Sequence, residues 1–203
     1  MKLYSYVLRL DTGFAPNPFF GYITLACCKH PIRKTASPAD WVAGTASSPN
    51  STKLIYAMRV DEVLDFSEYF RDTRFRSKKP EYTGNKMMNM CGDNIYEPVP
   101  DGSFRQLRSM HCEGDIAKDL KGRNVLIGEQ FYYFGKNAVE LPESLHGIIK
   151  KRQGYKCNIP DYLIQEFLEF LSQYKPGING NPTSWPETEG REIESCRPPR
   201  KCR

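Results

Sequence analysis

The sequence predicts an α+β fold, a strongly curved or barrel-like mixed sheet with flanking helices. Two observations support this prediction. Short apolar segments bounded by Gly, Pro, Asn and Asp recur along the chain, and such segments favour strands where β-branched and aromatic residues are dense. One longer segment repeats apolar residues at intervals of three and four, which is typical of an amphipathic helix. We therefore expect six or more short strands and two or three helices.

In the first half of the chain, apolar alternation and turn residues place the elements. The loop at residues 11–20 is rich in Pro and Gly, which fix or free backbone dihedrals, so we expect it to have one defined shape. A short helix should begin near Asp65 or Ser67, which are residue types that cap helices. The strands are expected at residues 3–10, 23–28, 41–44 and 54–60.

The second half begins with a long basic loop at residues 71–94, of a length that is often functional. Its one long helix, at residues 159–174, begins at a proline and ends before Lys-Pro-Gly. We expect one domain over residues 1–185 and a disordered tail over 186–203, which is charged, Pro-rich and without apolar periodicity. Further strands are expected at residues 92–96, 104–111, 124–127 and 130–134, with a helical turn at 141–146.

Length and composition fit one globular domain, since 203 residues suffice to bury a core. The net charge of +5 permits a polyanionic partner, but the pI near 8.8 lies below the value of about 9 that marks a nucleic-acid-binding domain. No run of about 18 apolar residues occurs, so no membrane span is expected. The alternating N-terminal segment predicts a strand rather than a signal peptide, and a cytoplasmic location is therefore expected.

Seven cysteines are present, and their spacing matches no zinc-binding pattern, because structural zinc sites use pairs two to four residues apart. Cys27 and Cys28 are adjacent, so on a strand one faces the core and the other faces outward. We expect free thiols in a reducing compartment, with no metal site and no cofactor.

The chain resembles the nucleotide modification associated domain 2 family, a prokaryotic and phage group. The resemblance covers about residues 3–175 and is carried by DTGFAPNPF at 11–19, TLACCK at 24–29, DWVAGT at 40–45 and GDNIY at 92–96. It implies a role in DNA base modification or phage defence. Such domains usually have glycine before the Asp-Trp pair, where this chain has Ala39, so we expect a slightly different turn there.

A second resemblance is architectural. The turn ending in Asp40, the strands at 41–44 and 54–60 and the loop between them are similar to a hairpin of PUA-like, ASCH and EVE domains. Those domains are small curved barrels that hold nucleotides or flipped, modified bases. This resemblance implies a PUA-like pseudo-barrel, although a fold does not determine a function.

The leading hypothesis is a nucleotide- or modified-base-binding domain. Carboxylate and amide groups read the edge of a flipped base, and aromatic rings stack on its face. The alternatives are ordinary structural roles: Asp11 and Asn17 as turn residues, and Trp41 as a core residue. The ligand-binding candidates are Asp11, Asn17, Phe19, Arg33, Trp41, Tyr56, Asn94 and Tyr96.

Basic side chains supply candidates for phosphate contacts, although a basic run is also typical of a solvated face. The expected partners are a nucleotide or a nucleic acid with modified bases, with base-modification enzymes as candidate protein partners and no membrane. The phosphate candidates are Lys34, Arg74, Arg76 and Lys78.

The rival hypothesis is an enzyme that acts on nucleotides or DNA bases. Its candidate catalytic residues are Cys28, Asp93 and His111, the residue types of a nucleophile, a base and an orienting group. This hypothesis requires the three side chains to meet in space. A third alternative is an interaction module without a small ligand, which a deep aromatic-lined pocket would exclude.

Overall fold

The structure is a computed structural model that describes residues 1–83 and 86–185. The predicted tail at 186–203 lies outside the described residues. The chain forms a mixed α+β structure, which confirms the predicted class. None of the described helices is long and apolar enough to cross a membrane.

The larger sheet is mixed, with β1 parallel to β3 and β3 antiparallel to β4. Its seven described strands follow the order β11-β1-β3-β4-β9-β12, with β10 on β4. No pairing among the described strands joins β11 to β12, so this part of the chain forms an open sheet and no closed barrel. These strands are β1 (Leu3–Leu8), β3 (Trp41–Ala46), β4 (Lys53–Arg59), β9 (Phe131–Tyr133), β10 (Val139–Glu140), β11 (Tyr155–Lys156) and β12 (Gly177–Ile178).

Two smaller sheets complete the strand structure. One has the order β2-β8-β5, and the other pairs β6 with β7. The chain leaves β2 directly into Ala26, Cys27 and Cys28, so this sheet positions the adjacent cysteines. These strands are β2 (Ile23–Leu25), β5 (Glu62–Asp65), β6 (Tyr96–Pro98), β7 (Phe104–Gln106) and β8 (Asn124–Gly128).

The predicted long helix is present as α5 (Asp161–Ser172), two residues shorter at each end than its apolar pattern suggested. Its residues Leu163, Phe167 and Leu171 pack into a core cluster beneath the larger sheet. The predicted short helix is α2 (Phe66–Arg71), capped by Asp65, whose side chain accepts a hydrogen bond from the Glu68 backbone N–H. This outcome confirms the capping signal in the sequence.

The remaining helices are short. The basic loop predicted at 71–94 contains a 3₁₀ helix, Thr73–Lys78, so part of it is regular structure. The α-helices are α1 (His30–Thr35), α3 (Met87–Met90) and α4 (Ile116–Asp119), and further 3₁₀ helices are Glu113–Asp115, Gly135–Asn137 and Glu143–Ile148.

Ala39 retains the left-handed backbone that glycine would favour, with φ of 74°. Its N–H donates to the Val60 carbonyl at 2.8 Å, which ties the turn to the end of the β3–β4 hairpin. The chain therefore keeps a positive φ here and accepts the strain of an L-residue in that region, about 1–2 kcal/mol.

Candidate functional site

A cleft of about 470 Å³ opens between the end of β1, the segment after β2, and the chain that leads into α4. This volume is in the range of small-molecule sites. The lining combines an apolar surface with titratable groups. It includes Val7, Leu8, Phe14 and Ile32 on the apolar side, and Arg9, Cys28, Lys29, His111, Lys118 and Asp119 on the polar side.

Cys28 lies at the sharp turn between β2 and α1. Its backbone is left-handed, with φ of 59°, and is fixed from both sides. Its N–H donates to Asp119 Oδ1 at 2.8 Å, and its carbonyl accepts from Arg33 Nε at 2.7 Å. A non-glycine residue held in this region stores strain that is common at functional sites.

The Cys28 sulfur lies 3.2 Å from His111 Nε2. On the other side of the ring, Nδ1 lies 3.0 Å from Asp119 Oδ2. This is an ion-pair distance, although the ring N–H does not point straight at that oxygen, and such contacts often tighten only when substrate binds. The order thiol, imidazole and carboxylate is that of a nucleophile, its base and an orienting group.

Asp119 is buried and held by further groups. Tyr96 donates its hydroxyl to Oδ2 at 2.7 Å, and Arg33 Nη2 lies 3.4 Å from Oδ1. The carboxylate therefore has a fixed orientation, and it connects the backbone of Cys28 with the ring of His111. A carboxylate fixed in this way selects the tautomer and orientation of the imidazole.

The electrostatics favour a charged His111. Burial by itself lowers the pKa of His111, but the contacts with Asp119 and Cys28 outweigh burial and raise the pKa to about 10. For Asp119, burial by itself raises the pKa, but the contacts with His111 and Arg33 outweigh burial and hold the pKa below its ordinary value. His111 therefore presents a cation beside the Cys28 sulfur, and reactive cysteines have such a neighbour.

Arg33 has 0% exposure and acts as an internal brace. Its Nη2 donates to the Asp119 carbonyl at 2.8 Å, and its Nη1 donates to the carbonyls of Asn124 at 2.8 Å and of Gly122. Together with its bond to Cys28, these contacts join α1, α4 and β8 behind the cleft. The predicted ligand-binding guanidinium thus engages protein acceptors.

Asp93, the predicted third catalytic residue, lies in a different cluster. Its carboxylate accepts hydrogen bonds from Thr24 Oγ1 and from the Tyr69 hydroxyl, each at 2.7 Å. No hydrogen bond or ion pair among residues 1–83 and 86–185 joins Asp93 to His111. The structure brings together Cys28 and His111 from the predicted set, and Asp119 takes the third place.

The loop candidates for ligand binding hold the loop itself. Asp11 is buried and accepts from the Tyr133 hydroxyl at 2.5 Å and from the Thr183 backbone N–H at 3.1 Å. Asn17 donates to the Cys91 carbonyl at 2.7 Å. Phe19 stacks on Trp185, with ring centroids 5.7 Å apart.

The other ligand-binding candidates are separated from one another. Trp41 stacks on Tyr132 against the larger sheet, with centroids 6.5 Å apart. Tyr56 is buried and shares a hydrogen bond with the Tyr6 hydroxyl at 2.8 Å. Asn94 donates to the backbone carbonyls of Tyr69 in α2 and of Phe75. Of the eight ligand-binding candidates, only Arg33 and Tyr96 contact the Cys28–His111–Asp119 group.

The four phosphate candidates do not converge. Arg74 makes hydrogen bonds to the carboxylates of Glu62 and Asp72, which raise its pKa above the ordinary value. Lys78 is buried, and its ammonium group donates to the Asn17 side chain at 2.9 Å. Lys34 and Arg76 are exposed.

The Cys27 side chain is fully buried. Its sulfur and one donor atom each of His111 and Asp119 all lie within 4.8 Å of one another. Such a group offers three ligands to a metal ion, fewer than the four of a structural zinc site but as many as a catalytic zinc site uses. Burial raises the pKa of the Cys27 thiol well above its ordinary value. The effect of a chelator on turnover therefore separates the Cys28 chemistry from metal-assisted chemistry.

Sequence reasoning missed Asp119 and the cationic lining of the cleft. Asp119 follows His111 by eight residues in a short polar segment, and no local pattern distinguishes it from its neighbour Asp115. Lys29 adjoins Cys28 in sequence, which is a signal that could have placed it near the thiol.

Comparison with known families supports one assignment. The model of nucleotide modification associated domain 2 matches residues 1–189, nearly the whole chain. Neither the curated proteins nor the solved structures gave a match. The earlier resemblance is thereby confirmed, and the chain belongs to the nucleotide modification associated domain 2 family.

Proposed function

We propose that this domain is an enzyme acting on nucleotides or their bases through covalent catalysis by Cys28. One observation supports this proposal most strongly: Cys28, His111 and Asp119 form a continuous chain of contacts at 3.2 Å and 3.0 Å on the wall of a cleft. The family name supports nucleotide modification as the setting. A DNA base-modification or phage-defence context remains a prediction, as does a PUA-like form of the sheet.

The three side chains have distinct roles in the proposed reaction. The Cys28 thiolate attacks an electrophilic carbon of the substrate and forms an S–C bond. The displaced electron pair moves to the leaving group or to the adjacent heteroatom, which takes a proton from His111 Nε2. Asp119 stabilises the imidazolium before this transfer and holds the ring in place. Water or a second substrate then attacks the same carbon and gives its proton to the neutral His111, which breaks the S–C bond and releases the thiolate beside a regenerated imidazolium.

The backbone around Cys28 supports a positioned nucleophile. The hydrogen bonds from Cys28 to Asp119 and from Arg33 to Cys28 fix the turn on both sides. Half-burial of Cys28 leaves its sulfur accessible from the cleft. A reactive cysteine needs this combination of a cationic partner and access, whereas a fully buried thiol is inert.

Intact-mass spectrometry of the protein with a panel of nucleotides and modified-base oligonucleotides tests this proposal, with products followed by chromatography. We expect at least one substrate to give product and a transient adduct on the Cys28 peptide. Cys28→Ala should give neither, and a chelator should leave turnover unchanged. Turnover that survives Cys28→Ala, or a panel without product or adduct, would contradict the proposal.

Nucleotide binding without chemistry is the second candidate function, and the cationic lining of the same cleft favours it. Titration calorimetry with the same panel separates the two. Binding that persists in Cys28→Ala, with no product from the wild type, would assign the domain to recognition alone.

A further inference from the structure

Three cationic side chains from different elements line the same cleft as Cys28. Arg9 follows β1, Lys29 adjoins Cys28, and Lys118 lies in α4; all three line the cleft. They are distant in sequence, so only the fold brings them together. None of these cations belonged to the predicted phosphate set.

These cations lack carboxylate partners within the described part of the chain. No ion pair within 4.0 Å involves Arg9, Lys29 or Lys118, whereas Arg33 and Arg74 both have one. The pKa of Lys29 reflects the nearby charges. Burial is the largest effect and lowers this pKa, Arg9 and Lys118 lower it further, and Cys28 opposes them. The cleft therefore concentrates positive charge that the protein itself leaves uncompensated.

Two carboxylates line the cleft. Asp119 binds Arg33, His111 and Tyr96. Asp115 accepts from the Cys112 backbone N–H at 3.2 Å, which does not neutralise it, but one such carboxylate against three cations leaves an excess of positive charge. Lys29 is oriented by the Tyr6 ring, with its ammonium 4.2 Å from the ring centroid. Positive charge in a partly enclosed cleft attracts anions more strongly than the same charge on an open surface.

We propose that the cleft binds its substrate through a phosphate ester group held by Arg9, Lys29 and Lys118. The substrate class is then a nucleotide or a nucleic acid rather than a free base or nucleoside. This inference rests on the proposed function, because it places the phosphate beside the attacking sulfur. A phosphate group carries up to two charges and accepts hydrogen bonds from several donors at once, which matches a cleft lined by three cations.

Alkylation of Cys28 by a charged and a neutral reagent measures this charge directly. Iodoacetate and iodoacetamide both form an S–C bond and release iodide, but only iodoacetate is an anion. Peptide mass spectrometry follows Cys28 and the exposed free thiol of Cys157 in the same molecule. We expect the iodoacetate-to-iodoacetamide rate ratio to be about three- to tenfold higher at Cys28 than at Cys157 in low salt.

Variants separate the cleft cations from His111, which also attracts anions. Arg9→Gln with Lys118→Gln removes two exposed cations and should bring the ratio at Cys28 most of the way to that at Cys157. Lys34→Gln is the matched control, because Lys34 is exposed and lies outside the cleft lining; it should leave the ratio unchanged. A competition experiment distinguishes the sources of the phosphate group. It measures how far Cys28 is protected from alkylation by inorganic phosphate, by a nucleoside monophosphate and by a short single-stranded oligonucleotide.

The outcomes separate this inference from the proposed function. A reactive Cys28 with no preference for iodoacetate, and no protection by any phosphate compound, would overturn the phosphate site alone. Cys28 that reacts no faster than Cys157 with either reagent would contradict the proposed function and the phosphate site together. A ratio that falls equally in the Lys34→Gln control would assign the preference to overall charge and overturn the site.

Discussion

The molecule contains two polar clusters that differ in their access to solvent. The open cluster consists of Cys28, Arg33, Tyr96, His111 and Asp119, and its thiol and imidazole line the cleft. The sealed cluster consists of Asn17, Thr24, Tyr69, Lys78 and Asp93, each with at most 1% exposure.

The difference shows how similar residue types serve chemistry in one place and stability in the other. In the sealed cluster, Asp93 and Lys78 direct their polar atoms to protein partners. In the open cluster, the buried Arg33 and Asp119 are equally satisfied, but they hold Cys28 and His111 at the cleft wall. Satisfied buried groups specify the fold, whereas a reactive group also needs an approach path. Four substitutions probe this distinction.

Cys28→Ala should have the largest effect. It removes the nucleophile, so we expect turnover to fall by about 10³-fold or more, to the background rate. Because Cys28 is only half-buried, the free energy of unfolding should change by less than about 1 kcal/mol. Product formation and urea unfolding measure the two effects. Loss of stability without loss of turnover would reverse the roles assigned to the clusters.

Asp93→Ala should show the opposite pattern. It leaves the hydroxyl donors of Thr24 and Tyr69 buried without their acceptor, which should lower the free energy of unfolding by about 2–5 kcal/mol. Urea unfolding monitored by tryptophan fluorescence gives this value. The alkylation rate of Cys28 in the folded fraction should stay within about twofold of the wild type; a larger fall would connect Asp93 to the chemistry.

The charge on His111 makes stability depend on pH. Its folded pKa of about 10 exceeds the unfolded value of about 6.5, so its stabilisation is full below about pH 6.5 and is lost as pH rises to about 10. Wild type should therefore lose its advantage over His111→Gln across this range, by up to about 5 kcal/mol. An advantage that stays constant or grows with pH would contradict the ion pair.

Comparing wild type with His111→Gln also removes the pH dependence of stability that Lys78 of the sealed cluster contributes. Burial lowers the pKa of Lys78 to about 7, against the opposing effect of Asp93. Lys78 therefore takes up a proton on unfolding between about pH 7 and 10.5, which makes stability rise with pH in the same range. Both proteins contain Lys78, so its contribution cancels in their difference.

Ala39→Gly should have the smallest effect. Ala39 and Cys28 both have positive φ, at 74° and 59°, but only Cys28 lies in the cleft. Glycine relieves strain at residue 39 and adds entropy to the unfolded chain, so stability should increase by at most about 1 kcal/mol. Thermal unfolding should show this gain with Cys28 reactivity unchanged. A loss of reactivity would mean that the turn at residue 39 supports the site.

Much of the fold could be predicted because its signals are local. The Asp65 and Glu68 side chains predict the start of α2, and the apolar spacing around Phe167 predicts α5. The pairing of β1 with β3 in parallel, and the separate sheet that carries β2 into Cys28, depend on contacts between distant segments. Local patterns carry no information on such pairings.

The candidate site was predictable in part for the same reason. Cys28 and His111 were predicted by residue type, since a thiol and an imidazole are the types that serve as a nucleophile and its base. Asp93 was predicted by residue type as well, and residue type alone does not distinguish it from Asp119. The choice between them is made by Arg33, which is buried and draws Asp119 towards Cys28 through long-range bonds.

The central claim is that Asp119, and not Asp93, supports the Cys28–His111 pair. The most direct test is the iodoacetamide alkylation rate of Cys28 relative to Cys157 at pH 7, measured in wild type, His111→Gln, Asp119→Asn and Asp93→Asn. We predict that this ratio falls by about tenfold or more in His111→Gln and Asp119→Asn. It should stay within about twofold of wild type in Asp93→Asn. A ratio that is unchanged in Asp119→Asn and reduced in Asp93→Asn would contradict the account.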